Sequence, residues 1–379
     1  WLLPEGIEEI LPPDAARLEK ICRIMIDTFQ TWGYQLVIPP MIEYLDSLLT
    51  GTGEDLELQT FKVTDLLTGR MMGIRADTTP QVARIDAHYL KRDVPERLCY
   101  LGTVLHTKPQ YHGGTRSPLQ VGAELFGHKG IESDVEIICL LLTTFERIGI
   151  KNLHVDIGHI GIYEALIKQS NLTQQQQVEI FNVLQRKAKP ELQAKAKEWD
   201  MESDHLNVFS QLIELNGGPD ILIQAEKAFT TCEQKVKDCL NQLKNFHEKV
   251  LQRFPGAPLF FDLAELRGYH YHTGIMFSAF VPGQGTGIAF GGRYDNVGVS
   301  FGRSRAATGF SADVKLLMEL SESKPASNNS IYAPYKHDEK LRIMIDTLRK
   351  QGEIVISELP DQVGKAVDMG CNRQLVFEN

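Results

Sequence analysis

Apolar residues recur at helical spacing after Asp14, at Leu18, Ile21, Cys22, Met25 and Phe29, and the repeat stops at Gly33. Steps of three and four residues put these side chains on one face of a helix. Asp14 follows Pro12 and Pro13, so the helix starts with negative charge at its positive end. YQLVIPP (34–40) predicts a strand ended by two prolines, which have no N–H for a ladder. MMGIRADTTPQVARI (71–85) predicts a strand running into a helix, with Asp77, Thr78 and Thr79, capping residue types, at the junction. Residues 98–126 alternate strand-like stretches around a turn-rich middle, HGGTRSP (112–118). DVEIICLLLTTFERIGI (134–150) predicts an apolar helix.

From about 165 to 257 the pattern changes to Gln-, Lys- and Glu-rich sequence with helical periodicity, which predicts a helical insertion. Thr173 and Gln176 form a capping-box pair, and Gly217, Gly218 and Pro219 break one helix from the next. Residues 221–254 read as one helix with a solvated, charged face. Strand pattern returns at PGAPLFFDLAEL (255–266), then at IMFSAFV (275–281) and IAFGG (288–292) across a GQGTG turn (283–287). TGFSADVKLLMEL (308–320) predicts a strand followed by a helix. A polar linker, 321–330, leads to a tail at 331–379 with a strand, a helix over Asp338–Lys350 and a second strand at 353–359. The expected organisation is therefore a core over 1–320 carrying the insertion, a linker and a small C-terminal α/β domain.

The chain has 379 residues, 42% apolar and 23% charged, which is ordinary for a globular protein of two or more domains. No apolar run reaches the roughly eighteen residues of a membrane span, so no membrane association is expected. A net charge of −9 gives no overall basic footprint for nucleic acid. Six scattered cysteines contain no C-x-x-C pair and predict free thiols in a reducing cytoplasm.

General catalytic signatures are missing. There is no G-x-G-x-x-G after a strand and no G-x-x-x-x-G-K-[ST] loop, and the glycines of 283–292 read as a hairpin turn. His270 and His272 lie two apart on an expected strand and share a face, but no third metal ligand accompanies them, so no metal is expected.

Four motifs occur in order: ADTT (76–79), QVGAE (120–124), RGYHYHTG (267–274) and GGRYD (291–295). With a helical insertion between the second and third, the set resembles the class II aminoacyl-tRNA synthetase fold in its histidyl branch, over roughly residues 1–320. The fold so implied is α+β: an antiparallel sheet flanked by helices, with the insertion and a truncated C-terminal α/β domain. The opening helix, strand and terminal proline resemble the dimerisation motif of that fold. By the same resemblance, Asp77 meets the amino group of histidine, and Thr79 and Gln120 are its hydrogen-bonding partners. Glu124 faces the imidazole, and Arg267 lies beside the carboxyl end. Tyr271 and His272 stand where the family has two aromatic residues, so His272 is a departure. Such a set suits a zwitterion, at about 1.5–3 kcal/mol per charge-assisted hydrogen bond, and a few suffice for micromolar binding at about −8 kcal/mol.

The ATP-handling residues of the synthetases are replaced. His106 stands nearest the arginine of the second motif, and Leu316 takes the place of the arginine of the third, with Asp313 close by. Lys315 is one position away and lacks the planar fork of arginine. Losing one preorganised donor costs about 10²–10³ in rate, so losing two predicts no adenylation. About fifty residues follow the linker, too few for a whole anticodon-binding domain. No acidic pair precedes a T-G-x-T-like loop, so phosphoribosyl transfer by the chain itself is not expected either. This combination resembles the family of ATP phosphoribosyltransferase regulatory subunits. The resemblance implies a cytoplasmic, non-catalytic subunit with no cofactor and no tRNA partner. It further implies a homodimer within a hetero-oligomer with a short-form catalytic ATP phosphoribosyltransferase, and feedback inhibition of histidine biosynthesis by histidine. The alternatives are a histidyl-tRNA synthetase and a stand-alone amino-acid-binding module.

Overall fold

In the computed structural model, the structure describes residues 1–51, 53–109, 114–267, 271–322 and 329–376. The chain divides into two compact units, Trp1–Ser323 and Lys324–Asn379. The larger is built on a nine-stranded sheet. From edge to edge its strands are Gln35–Leu36, Glu96–Thr103, Leu119–Phe126, Ala307–Asp313, Ala289–Arg293, Ile275–Phe280, His154–His159, Leu259–Asp262 and Asn216–Gly217. Neighbours are antiparallel except for the first pair and the pair of His154–His159 with Leu259–Asp262.

Period-two alternation gives the central strands two different faces. Cys99, Val121, Ala123, Leu125 and Phe310 belong to the large core. That core packs under the amphipathic helix Asp14–Thr31 and the apolar helix Ile131–Ile148. Leu98, Tyr100 and Phe126 point the other way and join Val82, Ala83 and Tyr294 in a smaller cluster beneath the helix Thr79–Arg84. The candidate chemistry lies on this second face.

Two expected elements change length. The strand of 34–40 shrinks to Gln35–Leu36, extended by one bond from the Val37 N–H to the Cys99 carbonyl at 2.9 Å. Beyond it, Pro39 and Pro40 offer only carbonyls, and these accept from Arg75 Nη1 at 2.9 Å and Gln81 Nε2 at 2.8 Å. The single helix expected over 221–254 is two, Asp220–Ala228 and Gln234–Arg253. Thr230 Oγ1 donates to the Glu226 and Lys227 carbonyls at the end of the first, while Phe229 and Cys232 turn into the core. The second helix buries Val236, Cys239, Leu240, Leu243, Phe246 and Val250 as one stripe. The capping box at Thr173 and Gln176 is formed, and 281–288 is a hairpin connection. Expectations for Gly268, Tyr269, His270, His112 and Gly113 lie outside the described residues, as does most of the linker.

The smaller unit has a three-stranded parallel sheet with Ile331–Ala333 between Val355–Ser357 and Arg373–Gln374. Its helix, Glu339–Lys350, buries Leu341 and Ile345, and Asp338 Oδ1 caps it by accepting the Lys340 N–H at 2.7 Å and the Leu341 N–H at 3.1 Å. The third strand, only two residues long, carries no periodic signal. All six cysteines are buried and free. Among the described residues no helix is long and apolar enough to cross a membrane.

Arg293 fastens the sheet to the start of the Ile131–Ile148 helix. Its Nε and Nη2 donate to Asp134 Oδ2 at 3.1 and 2.8 Å, and Nη2 also reaches Ser133 Oγ at 2.8 Å. Both members of the pair are buried. Replacing Arg293 with Leu leaves Asp134 buried and uncompensated, at a cost of about 3–5 kcal/mol. Thermal unfolding checks this: Arg293→Leu melts well below the parent, and Asp134→Asn combined with Arg293→Leu recovers part of the loss.

Candidate functional site

Gln120, Gly122 and Glu124 alternate along the Leu119–Phe126 strand and so face the same side. The strands on either side place Tyr100 across from Gly122 and Gly309 across from Glu124. Both glycines are required by space. A Cβ on Gly309 would lie 1.5 Å from Glu124 Oε2, and one on Gly122 would lie 2.3 Å from the Tyr100 hydroxyl. The two polar side chains therefore lie flat over glycine backbone.

Glu124 is 1% exposed. It accepts from the Tyr100 hydroxyl at 3.2 Å and from the Tyr294 hydroxyl in a very short bond. Burial pushes its carboxyl up to about 8, against the opposing pull of those donors. Burial thus favours the protonated form of this group. A ligand N–H or a cation arriving beside it supplies what the buried carboxylate lacks.

Asp77, only half-buried, lies beside this cluster. Its Oδ1 accepts the Thr79 N–H at 3.1 Å and the Gln120 Nε2–H at 2.8 Å, while Gln120 Oε1 accepts the Thr78 N–H at 2.9 Å. Thr79 Oγ1 and the Tyr100 hydroxyl are 2.9 Å apart. One hydrogen-bonded chain thus links Asp77, Thr79, Tyr100, Glu124 and Tyr294, with Gln120 bracing Asp77.

Tyr271 joins them. Its ring stacks on Tyr294 with centroids 5.0 Å apart, and its buried hydroxyl has no partner. Both Asp77 and Glu124 raise its phenol, after burial itself. His272 stands edge-on to Tyr271 at 5.8 Å, with Nδ1 buried and unpartnered, and burial lowers its imidazole to about 4. Neither residue is on a strand; both precede the strand starting at Ile275. The strand expected for His272 does not form there. Arg267 is placed apart from the rest: it lies 3.7 Å from Glu265 and 5.2 Å over the Phe280 ring, in a hollow with His154, Asp156 and Asp262.

A cavity of about 260 Å³ opens beside Asp77 and Gln120 and runs to His106, Asp313 and Leu316. His106 is 3% exposed, and its Nε2 bonds the Ala76 carbonyl at 2.9 Å, so Nε2 carries the proton. Nδ1 has no partner. Asp313 caps the helix Val314–Leu320 and accepts the Leu119 and Lys315 N–H groups at 3.1 Å each. Among the described residues no lysine or arginine lines the cavity. Lys315 turns to Glu8 at 3.1 Å and Ser117 at 3.2 Å, and Arg116 to the His106 and Glu5 carbonyls.

Tyr100 and Tyr294 were not anticipated as site residues. Tyr294 follows the motif arginine within GGRYD, which was the available signal. Tyr100 sits in a strand whose sequence is merely apolar, and only the register across to Gly122 reveals it.

Comparison with known proteins agrees with this fold. The profile of the histidyl-tRNA synthetase family matches residues 6–317, and that of the ATP phosphoribosyltransferase subunit HisZ C-terminal domain matches 328–379. The ATP phosphoribosyltransferase regulatory subunit of Thioalkalivibrio sulfidiphilus is 52% identical over 100% of this chain and 96% of its own length. That of Nitrosococcus oceani is 48% identical over 100% and 95%. A crystal structure from Bacillus halodurans, described as an ATP phosphoribosyltransferase regulatory subunit/histidyl-tRNA synthetase, superposes with a TM-score of 0.89 at 25% identity, covering 99% of this chain and 97% of that one. The histidyl-tRNA synthetase of Nostoc shares the fold, with a TM-score of 0.80 at 17% identity, over 96% and 87%.

Because burial favours neutral Glu124, the fold loses stability as pH rises from the ordinary carboxyl value of 4.5 through about 8. Below that window the group is protonated in both states and the penalty vanishes. Glu124→Gln removes this contribution, on the order of a few kcal/mol at alkaline pH. Melting temperatures between pH 5 and 9 test it: the variant loses less stability than the parent as pH rises, and parallel curves contradict the assignment.

Proposed function

The chain belongs to the ATP phosphoribosyltransferase regulatory subunit family, and from that premise we propose that it is a non-catalytic histidine sensor for a short-form catalytic ATP phosphoribosyltransferase. The single observation that carries this reading is the contrast between a hydrogen-bonded polar cluster and the cavity beside it. The chain of Asp77, Thr79, Gln120 and Glu124 suits an amino acid, whereas among the described residues no lysine or arginine lines the neighbouring cavity.

In this reading the histidine ammonium takes Asp77, with Gln120 and Thr79 fixing the carboxylate's orientation. The imidazole enters between Tyr271 and Glu124, where an N–H meets the buried carboxyl, and His272 closes the side where the synthetases carry a tyrosine. Arg267, 3.7 Å from Glu265, turns away from that acid to join the carboxylate end. Histidine influences the catalytic subunit by favouring one of two states of the assembly, which requires unequal affinity for them. A homodimer within that cytoplasmic hetero-oligomer is supported by an apolar groove along the sheet edge, lined by Leu18, Cys22, Ile26, Leu36, Ile38 and Leu101.

The test mixes this chain with a short catalytic subunit, measures phosphoribosyl transfer from its activated ribose donor to ATP, and titrates histidine. Transfer rises on addition of the chain and falls with histidine. Asp77→Ala keeps the activation and weakens histidine binding about 10–100-fold in calorimetry, the effect of one lost charged hydrogen bond. The chain alone shows no ATP–pyrophosphate exchange. Full-strength histidine binding by Asp77→Ala removes the site as described, and exchange by the chain alone removes the non-catalytic reading.

A further inference from the structure

Arg267 stands where three carboxylates and a second cation meet. One oxygen from each of Asp156, Asp262 and Glu265 lies within 4.8 Å of the others. Asp156 is on the strand His154–His159, and Asp262 ends the neighbouring strand Leu259–Asp262. Asp262 and Glu265 are buried. Each acid meets a different donor. His154 Nε2 is 2.6 Å from Asp156 Oδ1, Lys187 Nζ is 2.6 Å from Asp262 Oδ2, and Glu265 Oε1 accepts the Arg267 N–H at 3.0 Å. The Arg267 guanidinium is held more loosely, with Nε 3.7 Å from Glu265 Oε1 and its side chain 46% exposed.

Lys187 belongs to another part of the fold. It follows the helix Gln174–Gln185 of the helical insertion, and its N–H donates to the Leu184 carbonyl at 2.9 Å. The insertion thus sends one ammonium among the acids that hold Arg267. Burial raises the Glu265 carboxyl, Arg267 pulls it back, and Asp262 and Asp156 push it further up, so these groups act on one another. An ammonium on Asp262 lowers the negative charge around the guanidinium, and its removal restores that charge. The two cations share one set of acids, and each weakens the hold on the other.

We propose that Glu265 and Lys187 are positioning residues that set the affinity for histidine through Arg267. Glu265 keeps the guanidinium in the hollow, away from the amino-acid corner, and Lys187 loosens that hold by neutralising Asp262. The proposal rests on the site described under the proposed function, in which Arg267 joins the carboxylate end of the ligand. A displacement of the insertion that withdraws Lys187 from Asp262 lowers the affinity at that corner without touching the ligand.

Calorimetry with histidine tests this on the full chain, in the parent, Glu265→Gln, Lys187→Met, Lys187→Arg and Arg267→Gln, and in the first two substitutions each combined with Arg267→Gln. Glu265→Gln keeps the oxygen that accepts the Arg267 N–H and removes the charge. It lowers the histidine Kd about two- to fivefold, the range of a partly exposed ion pair. Lys187→Met raises the Kd by a similar factor, and Lys187→Arg stays near the parent. Opposite signs separate this device from general damage to the fold, which weakens binding in both. In the Arg267→Gln background both effects vanish. An unshifted or raised Kd in Glu265→Gln, or effects that persist without Arg267, overturns the proposal. If Arg267→Gln alone weakens binding while Glu265→Gln leaves it unchanged, the positioning fails and the ligand site stands. Parent-strength binding by Arg267→Gln removes Arg267 from the ligand site and overturns the proposal with it.

Discussion

A carboxyl group buried on the inner face of the sheet organises this molecule's site. Glu124 has almost no contact with water, and two tyrosine hydroxyls from neighbouring parts of the fold close on it. A buried carboxylate without compensation is expensive, so the surroundings must supply donors or the group must stay protonated. Both responses are present. Tyr100 and Tyr294 donate, and the carboxyl is still pushed up to about 8. To lie where it does, the side chain needs Gly309 opposite, and its neighbour Tyr100 needs Gly122. The site is thus inseparable from strand register: a slip of one residue would turn Gln120 and Glu124 into the helix-covered core.

The division of the sheet into two faces explains how one scaffold holds both stability and chemistry. The face bearing Val121, Ala123 and Leu125 belongs to the large core. The opposite face carries a smaller apolar cluster interrupted by Glu124, Tyr100 and Tyr294, with the short helix Thr79–Arg84 above it. Arg293 fixes the strand that presents Tyr294 to the Ile131–Ile148 helix. The position of a tyrosine hydroxyl against a carboxyl is thereby set by a buried ion pair on the adjoining residue.

Electrostatics sets the character of the cavity beside Asp77. His106 and Leu316 line the cavity where arginines are expected, and the nearby cations are drawn off, Lys315 to Glu8 and Arg116 to backbone carbonyls. A cavity edged with acceptors and carboxylates repels phosphate at close range, where the dielectric is low.

The amino-acid sequence by itself determined the alternation of strands, the amphipathic and apolar helices, the helical insertion, and the motif residues Asp77, Thr79, Gln120 and Glu124. These are legible because periodicity and short motifs are local properties. Tertiary structure alone decided three further matters. It brought Tyr100 to Glu124 through strand register, it cut the 221–254 helix in two by drawing Phe229 and Cys232 inward, and it seated Arg267 on Glu265. The first two are settled by packing between segments far apart in the chain, and the third by how the backbone turns between Glu265 and Arg267.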